Sequence, residues 1–301
     1  MKMNPPTSVM LNNGRLHLQH GPIDLIIEAF ADDCGEVKMA YEQASMRFSA
    51  LLSNLVLELT QLRTALSDAY PAFADPVAQR MARAVWPYRE QYITPMAAVA
   101  GAVADEVLHA LIAGRNLRRA YVNNGGDIAL HLSPGETFDI GIAGVEDAEL
   151  KGQFRICAED TIRGIATSGW RGRSFSFGIA DSVTVLASSA AQADAAATMI
   201  ANAVNVDHPG IERVPASDIH AESDLGSLLV TRSVPVMDSE SMRHALDAGE
   251  AKARQYVDDK LIERAAIRLQ GEARIVPARR RSREGGNPVS FRIRWKIPLE
   301  F

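Results

Sequence analysis

The 301-residue chain has few cysteines, few aromatic residues and little excess charge. Its two cysteines, Cys34 and Cys157, form no Cys-x-x-Cys pair, which excludes a zinc knuckle, a dithiol redox motif and a disulfide framework. The net charge of −5 argues against a protein that binds nucleic acid through its whole surface. Because 47% of the residues are apolar and 23% are charged, the composition predicts a folded globular chain.

Long hydrophobic runs are also missing. The nearest candidate, Met96–Gly114, is interrupted by Asp105, Glu106 and His109, so it is too short and too charged to predict a membrane span. The first residues lack the apolar core of a secretion signal. We therefore expect a soluble cytoplasmic protein without a membrane partner, and a homodimer is a reasonable expectation for a chain of this size.

Hydrophobic periodicity predicts strands and helices in a mixed order. Strict alternation of strand and helix is absent, which favours the α+β class in a single compact unit. The longest helix is expected over 36–66, where leucines recur at three- and four-residue steps. Thr94 followed by Pro95 predicts a helix start with a hydroxyl cap. Strands over 128–132 and 138–142 are expected to form a hairpin.

The end of the chain differs in composition from the rest. One final strand is expected over 266–276, and the residues after it are basic whereas the preceding part is acidic. We expect one domain over 1–276 and a disordered basic tail over 277–301. The alternative is a tail that contacts RNA or an acidic membrane.

The stretch 163–205 holds the pattern most suggestive of a site. It contains a turn rich in Gly, Ser and Arg, an apolar strand and an alanine-rich helix. Hydroxyls, glycines and arginines are residue types that bind phosphate, although a polar surface loop has the same composition. The candidate phosphate-binding residues of this turn are Thr167, Ser168, Gly169, Arg171 and Arg173.

The alanine-rich helix carries Asp194 and Thr198, four residues apart and hence on one face. A carboxylate and a hydroxyl are hard oxygen ligands of the kind that Mg²⁺ takes. The alternative is structural: Asp194 in the first turn of its own helix, stabilised by the helix dipole, with the Thr198 hydroxyl bonded to a backbone carbonyl. Upstream, Asn123 to Asp127 form a dense turn with two glycines, which is either a ligand-binding loop or an ordinary hairpin turn.

Together these segments resemble a known family. VNNGGDIAL, IATSG and DSVTVLASSAAQADAAAT are similar to motifs of the ApbE-like superfamily, whose best-known members are FAD:protein FMN transferases. The resemblance implies an ApbE-like, T-fold-like arrangement of mixed or antiparallel sheets packed with helices. It also implies that Asp194 and Thr198 bind the divalent ion. AAVAGAVAD resembles the family's G-x-A-K-G-x-x-x-D segment. Gly101 and Asp105 stand at the positions of that segment's second glycine and its aspartate.

The resemblance is closer still to the uncharacterised ApbE-related family of bacteria and archaea. HGPIDLII, GIATSGWRGRSFSFGIADSVTVLA and SDLGSLLVT match its signatures, and the similarity extends over 11–276. The chain departs from the transferases in three places. Ala100 stands where they carry a lysine, RGRSFSFGIAD replaces their H-x-x-D-P stretch, and no early S-E-[IVL] element occurs.

Three hypotheses follow from the resemblance. The first is a Mg²⁺-dependent transferase or hydrolase acting on FAD or a related dinucleotide, with Asp127 or Asp105 as a base or supporting residue. In it, Arg171 and Arg173 replace the missing lysine. The residues that would hold the nucleotide are Asn123, Gly125, Gly126, Thr167, Ser168, Gly169, Arg171 and Arg173. The second is a sulfur-handling role, because archaeal members are linked to sulfide assimilation, with Cys34 or Cys157 as the reactive group. The third is a nucleotide-binding module without catalysis.

Overall fold

The structure is a computed structural model that describes residues 4–143, 150–172, 174–221 and 223–278. The strands are β1 (Thr7–Met10), β2 (Leu16–His20), β3 (Ile23–Phe30), β4 (Arg119–Asn124), β5 (Asp127–Leu132), β6 (Thr137–Ala143), β7 (Leu150–Cys157), β8 (Gly164–Ser168), β9 (Ser182–Ala187), β10 (Glu212–Pro215), β11 (Leu229–Ser233), β12 (Arg264–Leu269) and β13 (Glu272–Val276). The helices are α1 (Cys34–Leu57), α2 (Leu59–Leu62), α3 (Pro76–Val85), α4 (Val99–Ile112), α5 (Ala190–Ala203), α6 (Ala216–Ile219) and α7 (Ser239–Asp258).

A nine-stranded sheet organises the molecule. Its strands follow the order β1-β2-β3-β4-β5-β8-β9-β12-β13, and each neighbouring pair is antiparallel. Two small sheets stand apart from it, one formed by β6 and β7 and the other by β10 and β11. The predicted α+β class, with antiparallel sheets packed with helices in one compact unit, is confirmed.

The two faces of the sheet are covered differently. Side chains alternate across a strand, so neighbours on one strand point to opposite faces. Ala129 on β5 and Ala166 on β8 belong to the main core under the helices. Their neighbours Leu130 and Ile165 belong to a second apolar cluster, together with Phe154 of the β6–β7 hairpin. The helices therefore cover one face, and the β6–β7 hairpin covers the middle of the other.

The hairpin predicted for 128–132 and 138–142 is wrong. The outer edge of β5 pairs with β8, through Ile128 opposite Ile165 and Ala129 opposite Gly164. The strand at 138–142, part of β6, turns away and pairs with β7 instead. The apolar cluster on the second face gives this pair a separate surface to cover, which local pattern does not reveal.

Other boundaries also differ from the prediction. The long helix α1 ends at Leu57 and a short α2 follows, so the expected helix over 36–66 is broken. The single strand expected over 266–276 is two strands, β12 and β13, joined at Gln270 and Gly271, which both have positive φ. The tail predicted from residue 277 lies outside the described residues from 279 onwards, and the domain boundary stays a prediction.

The helix start predicted at Thr94 and Pro95 is present, but its capping is not as predicted. A short 3-10 helix covers Pro95–Ala98 and leads into α4. The Thr94 side chain makes no cap hydrogen bond, and its hydroxyl donates to Asp224 at 3.1 Å. The stretch Pro95–Ile112 has a mean hydropathy of 1.4 and the length to span a membrane, yet 56% of it is buried inside the fold. Its apolar composition is that of a core helix.

Candidate functional site

The turn between β4 and β5 forms one wall of the candidate site. Asn124 pairs with Asp127, which leaves Gly125 and Gly126 as a two-residue tip with φ values of 64° and 113°. Glycine adopts both angles without strain, and at 113° few other residues can replace it, so the turn itself explains the glycine at residue 126. The Asn123 side-chain oxygen accepts a 2.8 Å hydrogen bond from the Gly126 N–H, which fixes the tip.

The end of β8 lies directly beside this tip. The pairing of β5 with β8 brings Thr167 next to the turn, and its backbone N–H donates to the Asp127 carboxylate at 3.2 Å. The Thr167 side chain is exposed and its hydroxyl is 2.9 Å from that of Thr184, whereas Ser168 is buried. At Gly169 an added Cβ would lie 2.4 Å from the Asp181 backbone oxygen, so the chain passes too closely for any larger residue.

Helices α4 and α5 complete the site through a reciprocal contact. Asp194 on α5 accepts a 3.0 Å hydrogen bond from the backbone N–H of Gly101, in the first turn of α4. In return, Asp105 on α4 accepts hydrogen bonds of 3.0 and 2.9 Å from the backbone N–H groups of Ala190 and Ala191, which begin α5. The N–H groups at a helix start have no partner within their own helix, so each helix supplies the cap of the other.

The absence of a side chain at Gly101 makes this contact possible. A Cβ at Gly101 would lie 2.3 Å from the Ala190 backbone oxygen, a distance that no packed side chain tolerates. The hairpin tip is tied to the same point, because the Asn124 amide donates to the Ala100 carbonyl at 3.1 Å. The two glycine-containing segments and Asp194 are therefore held together at one place.

The electrostatics of the site are dominated by acidic groups. Burial and then the negative charge of Asp127 raise the pKa of Asp194 well above its usual range, against the opposing N–H groups of Gly101 and Ala100. Burial likewise raises the pKa of Asp105, although the N–H groups of Ala191 and Ala190 oppose the rise. Because the carboxylates of Asp127 and Asp194 lie near one another and Asp194 is largely buried, this place favours the binding of a cation or a proton.

Comparison of the sequence with known families identifies the family of this chain. The family described as "AbpE bacteria" matches residues 8–275. The chain belongs to that family. The resemblance to an uncharacterised ApbE-related family, inferred from the motifs, is thereby confirmed.

Proteins described as UPF0280 proteins are relatives of this AbpE-family chain. The one from Methanopyrus kandleri is 38% identical over 136 residues, which cover 45% of this chain and 52% of that protein. The one from Methanosarcina acetivorans is 30% identical over 192 residues, covering 63% of this chain and 73% of that protein. The chain spans about half the length of the first curated relatives it matches, with shares of 52%, 45% and 50%.

Solved structures offer more distant likenesses. The flavin transferase ApbE from Vibrio cholerae has a TM-score of 0.39 and 15% identity, covering 91% of this chain and 98% of that one. The flavinyl transferase ApbE from Pseudomonas stutzeri has a TM-score of 0.35 and 14% identity, covering 92% and 95%. Values this low support no conclusion about the chemistry of the AbpE-family chain.

Of the two arginines expected to bind phosphate, the structure of this AbpE-family member describes one, Arg171. The Arg171 Nε donates to the Asp181 carboxylate at 2.9 Å, and its guanidinium carbon lies over the Trp170 ring, 4.9 Å from the ring centroid. Asp181 also accepts from the Gln270 N–H at 2.5 Å, so this arginine is held on a fixed partner. Arg173 lies outside the described residues.

The structural alternative considered for Asp194 is wrong in its detail. Helix α5 begins at Ala190 with Ser189 as its N-cap, and no acidic residue lies in its first turn. Asp194 instead caps the neighbouring helix. The sequence did not predict the roles of Asn124 or of the backbone N–H groups of Ala190 and Ala191. Their partners, Ala100 and Asp105, lie more than twenty residues away in the chain, so no local pattern indicates these contacts.

A metal site at Asp194 has few side-chain ligands available. Among the described residues, no group of three or more His, Cys, Asp or Glu side chains is placed to hold a metal ion. Thr198 lies one turn after Asp194 on α5, on the same face. An ion bound there would therefore depend on a carboxylate, a hydroxyl, backbone oxygens and water, which is a hard-oxygen set.

Proposed function

We propose that this AbpE-family protein binds FAD or a related dinucleotide together with Mg²⁺, and that it transfers FMN or hydrolyses the pyrophosphate bond. One observation carries the proposal. The four segments that resemble motifs of FAD:protein FMN transferases meet at one place, although they are far apart in the chain. The meeting point is marked by Asp127 bonded to Thr167, by Asn124 bonded to Ala100 and by Asp194 bonded to Gly101.

The residues present fit a divalent ion. Asp194 and Thr198 supply hard oxygen donors from one face of α5. Burial and the charge of Asp127 raise the pKa of Asp194, because they disfavour its negatively charged form. A bound cation would offset that cost and stabilise the carboxylate. When bound, Mg²⁺ would neutralise negative charge on the pyrophosphate.

The surrounding residues divide into binding and positioning roles. The tip at Gly125 and Gly126 has no side chains, so phosphate oxygens can approach its backbone, and Asn123 holds its shape. Thr167 lies beside that tip, with its backbone N–H bonded to Asp127. We assign to Arg171 the electrostatic task of the lysine that Ala100 replaces.

The two further carboxylates have different tasks in this proposal. Asp127 accepts from the Thr167 N–H through one oxygen, and it stands close enough to Asp194 to raise its pKa. It is the candidate base. Asp105 uses both carboxylate oxygens to accept backbone N–H groups of α5, so its role is to position that helix.

The test uses purified protein with FAD and Mg²⁺, following flavin fluorescence for binding and AMP release for the reaction. Asp194→Asn is expected to lose Mg²⁺-dependent binding. Asp139→Asn is the matched control, because Asp139 is an exposed carboxylate paired with Arg155 on the β6–β7 hairpin. A wild-type protein that binds no flavin at high micromolar FAD would refute the proposal. Binding without AMP release would select the non-catalytic module instead.

A sulfur-handling role has weaker support. Burial, followed by the negative charges of Asp160 and Glu159, raises the pKa of the Cys157 thiol, which keeps it in its unreactive protonated form. Cys34 is exposed at the start of α1, which packs on β2 and β3, whereas α5 packs on β8 and β9. A Cys34→Ser, Cys157→Ser double variant that still complements a sulfur phenotype would exclude a direct thiol mechanism.

A further inference from the structure

The two edges of the large sheet are protected to different degrees. At one edge, β13 carries Glu272 and Arg274, and Arg274 forms ion pairs with Asp247 and Glu250 of α7. Charged side chains on an edge strand discourage pairing with another sheet. The other edge strand, β1, has the sequence Thr-Ser-Val-Met without a charge, and all four residues are exposed. Its outer backbone groups are a template for a further strand.

A cleft opens beside the unprotected edge. It has a volume of about 1190 Å³ and lies between β1, the end of β3 and the outward face of α1. Met10 of β1 and Met46 of α1 line it, and they are 54% and 71% exposed. Val9, on the opposite face of β1, is 51% exposed. The helix layer that covers the rest of the sheet is thus incomplete over β1.

We propose that β1 and this cleft form an interface between two copies of the chain, related by a twofold axis that pairs β1 antiparallel with its counterpart. Antiparallel pairing of a strand with itself is isologous, as a closed dimer requires. The two sheets would become continuous. On the helical face, the α1 helices of the two copies would lie side by side and fill the incomplete layer.

The charges around the cleft suit a second copy better than a partner of one sign. Lys38 and Glu42 are both exposed, line the cleft and lie four residues apart on α1. Two α1 helices related by a twofold axis run antiparallel, so the order of these charges is inverted and opposite signs can meet. Asp32 and Arg118 add one further charge of each sign, 3.5 Å apart at the rim. A patch with equal positive and negative charge is self-complementary.

The oligomeric state of the full chain tests this proposal. Sedimentation equilibrium at micromolar concentration should show a dimer, and Met10→Lys should increase its dissociation constant at least tenfold, because a charge would be placed in the interface. Ile275→Lys is the matched control, since Ile275 is an exposed apolar residue on the opposite edge strand. A wild-type monomer would overturn the proposal, as would a dimer that Met10→Lys leaves intact, whatever the effect of Ile275→Lys.

Hydrogen exchange provides a second readout that does not depend on a variant. The backbone amides of β1 that point away from β2 should exchange slowly in concentrated protein and faster after dilution, whereas those on the outer edge of β13 should not respond. Fast exchange in β1 at all concentrations would refute the paired strand. A monomer whose cleft binds a small apolar molecule or another protein would assign the surface to that partner and also overturn the proposal.

Discussion

Asp105 on α4 and Asp194 on α5 cap each other's helices. Each carboxylate accepts backbone N–H groups at the start of the opposite helix, Asp105 from Ala190 and Ala191 and Asp194 from Gly101. Two of the three acidic residues singled out in the sequence are therefore linked by a structural relationship. The position of Asp194 depends on the contact that Asp105 makes.

Removal of the Asp105 carboxylate should destabilise the fold. Asp105→Ala leaves two backbone N–H groups without their acceptor, at a cost of about 1–3 kcal/mol in the free energy of unfolding. Asp105→Asn keeps one acceptor oxygen and should cost less. Urea denaturation monitored by circular dichroism measures both. Equal stability of Asp105→Ala and wild type would contradict the capping role.

A side chain at Gly101 should separate the two helices. The added Cβ of Gly101→Ala would lie 2.3 Å from the Ala190 backbone oxygen, so the backbone must move, at a cost of about 1–3 kcal/mol. Because Asp194 bonds to the Gly101 N–H, flavin binding should weaken as well. Gly172→Ala is the comparison for stability alone, since its Cβ would lie 3.2 Å from the Gly169 backbone oxygen, which is a tight contact but a smaller overlap than at Gly101. Thermal melts and flavin fluorescence together test the prediction.

The pH dependence of stability should report Glu106. Burial raises the pKa of this carboxyl, but hydrogen bonds from Arg47 and Arg80, at 2.8 and 3.1 Å, outweigh burial and hold it below its ordinary value. A lowered folded pKa contributes stability above the unfolded pKa of about 4.3, and this is lost as the pH falls through the folded pKa.

Glu106→Gln should therefore lower the free energy of unfolding at pH 7 by about 3 kcal/mol, because it removes the carboxylate that Arg47 and Arg80 share and leaves Arg47 only the more distant Asp75, at 3.9 Å. The difference from wild type should shrink in acid, below the folded pKa of Glu106. Urea titrations at a series of pH values measure this. A difference that stays constant with pH would mean that packing, and not charge, explains the loss.

The lysine absent from α4 can be restored. Ala100→Lys should strengthen FAD binding about fivefold, which corresponds to roughly 1 kcal/mol, because an added cation would face the pyrophosphate. Ala113→Lys, an exposed alanine at the other end of the same helix, is the control for added charge. Isothermal titration calorimetry gives both affinities. An unchanged or weaker affinity for Ala100→Lys alone would place the nucleotide elsewhere.

Local pattern was enough for most helices and strands but not for their partners. Strand β5 was predicted to within one residue and the helix start at Pro95 was found, because an apolar run and a proline at a helix start are signals within one segment. The pairing of β5 with β8 could not be predicted, since it depends on which face the β6–β7 hairpin covers. Tertiary contacts decide such choices.

The candidate site shows the same division. The Gly-Gly turn and the helix carrying Asp194 and Thr198 were recognised from composition and spacing, which are local. The partner of Asp194 was not, because the Gly101 N–H lies 93 residues earlier. The alternation of hydroxyls and glycines near Thr167 gave no indication of its bond to Asp127, which depends on sheet register.

The order of strands in the large sheet has a consequence for how the chain folds. Four neighbouring pairs are joined by short turns: β1–β2, β2–β3, β4–β5 and β12–β13. Three pairs are joined by long connections: β3 meets β4 across residues 31–118, β5 meets β8 across residues 133–163, and β9 meets β12 across residues 188–263. Closing long loops is entropically slow, so hairpins should form early and these three pairings should set the folding rate. The mutual caps of α4 and α5 join a helix from the first of these connections to a helix from the last, so they would form as those strand pairs close.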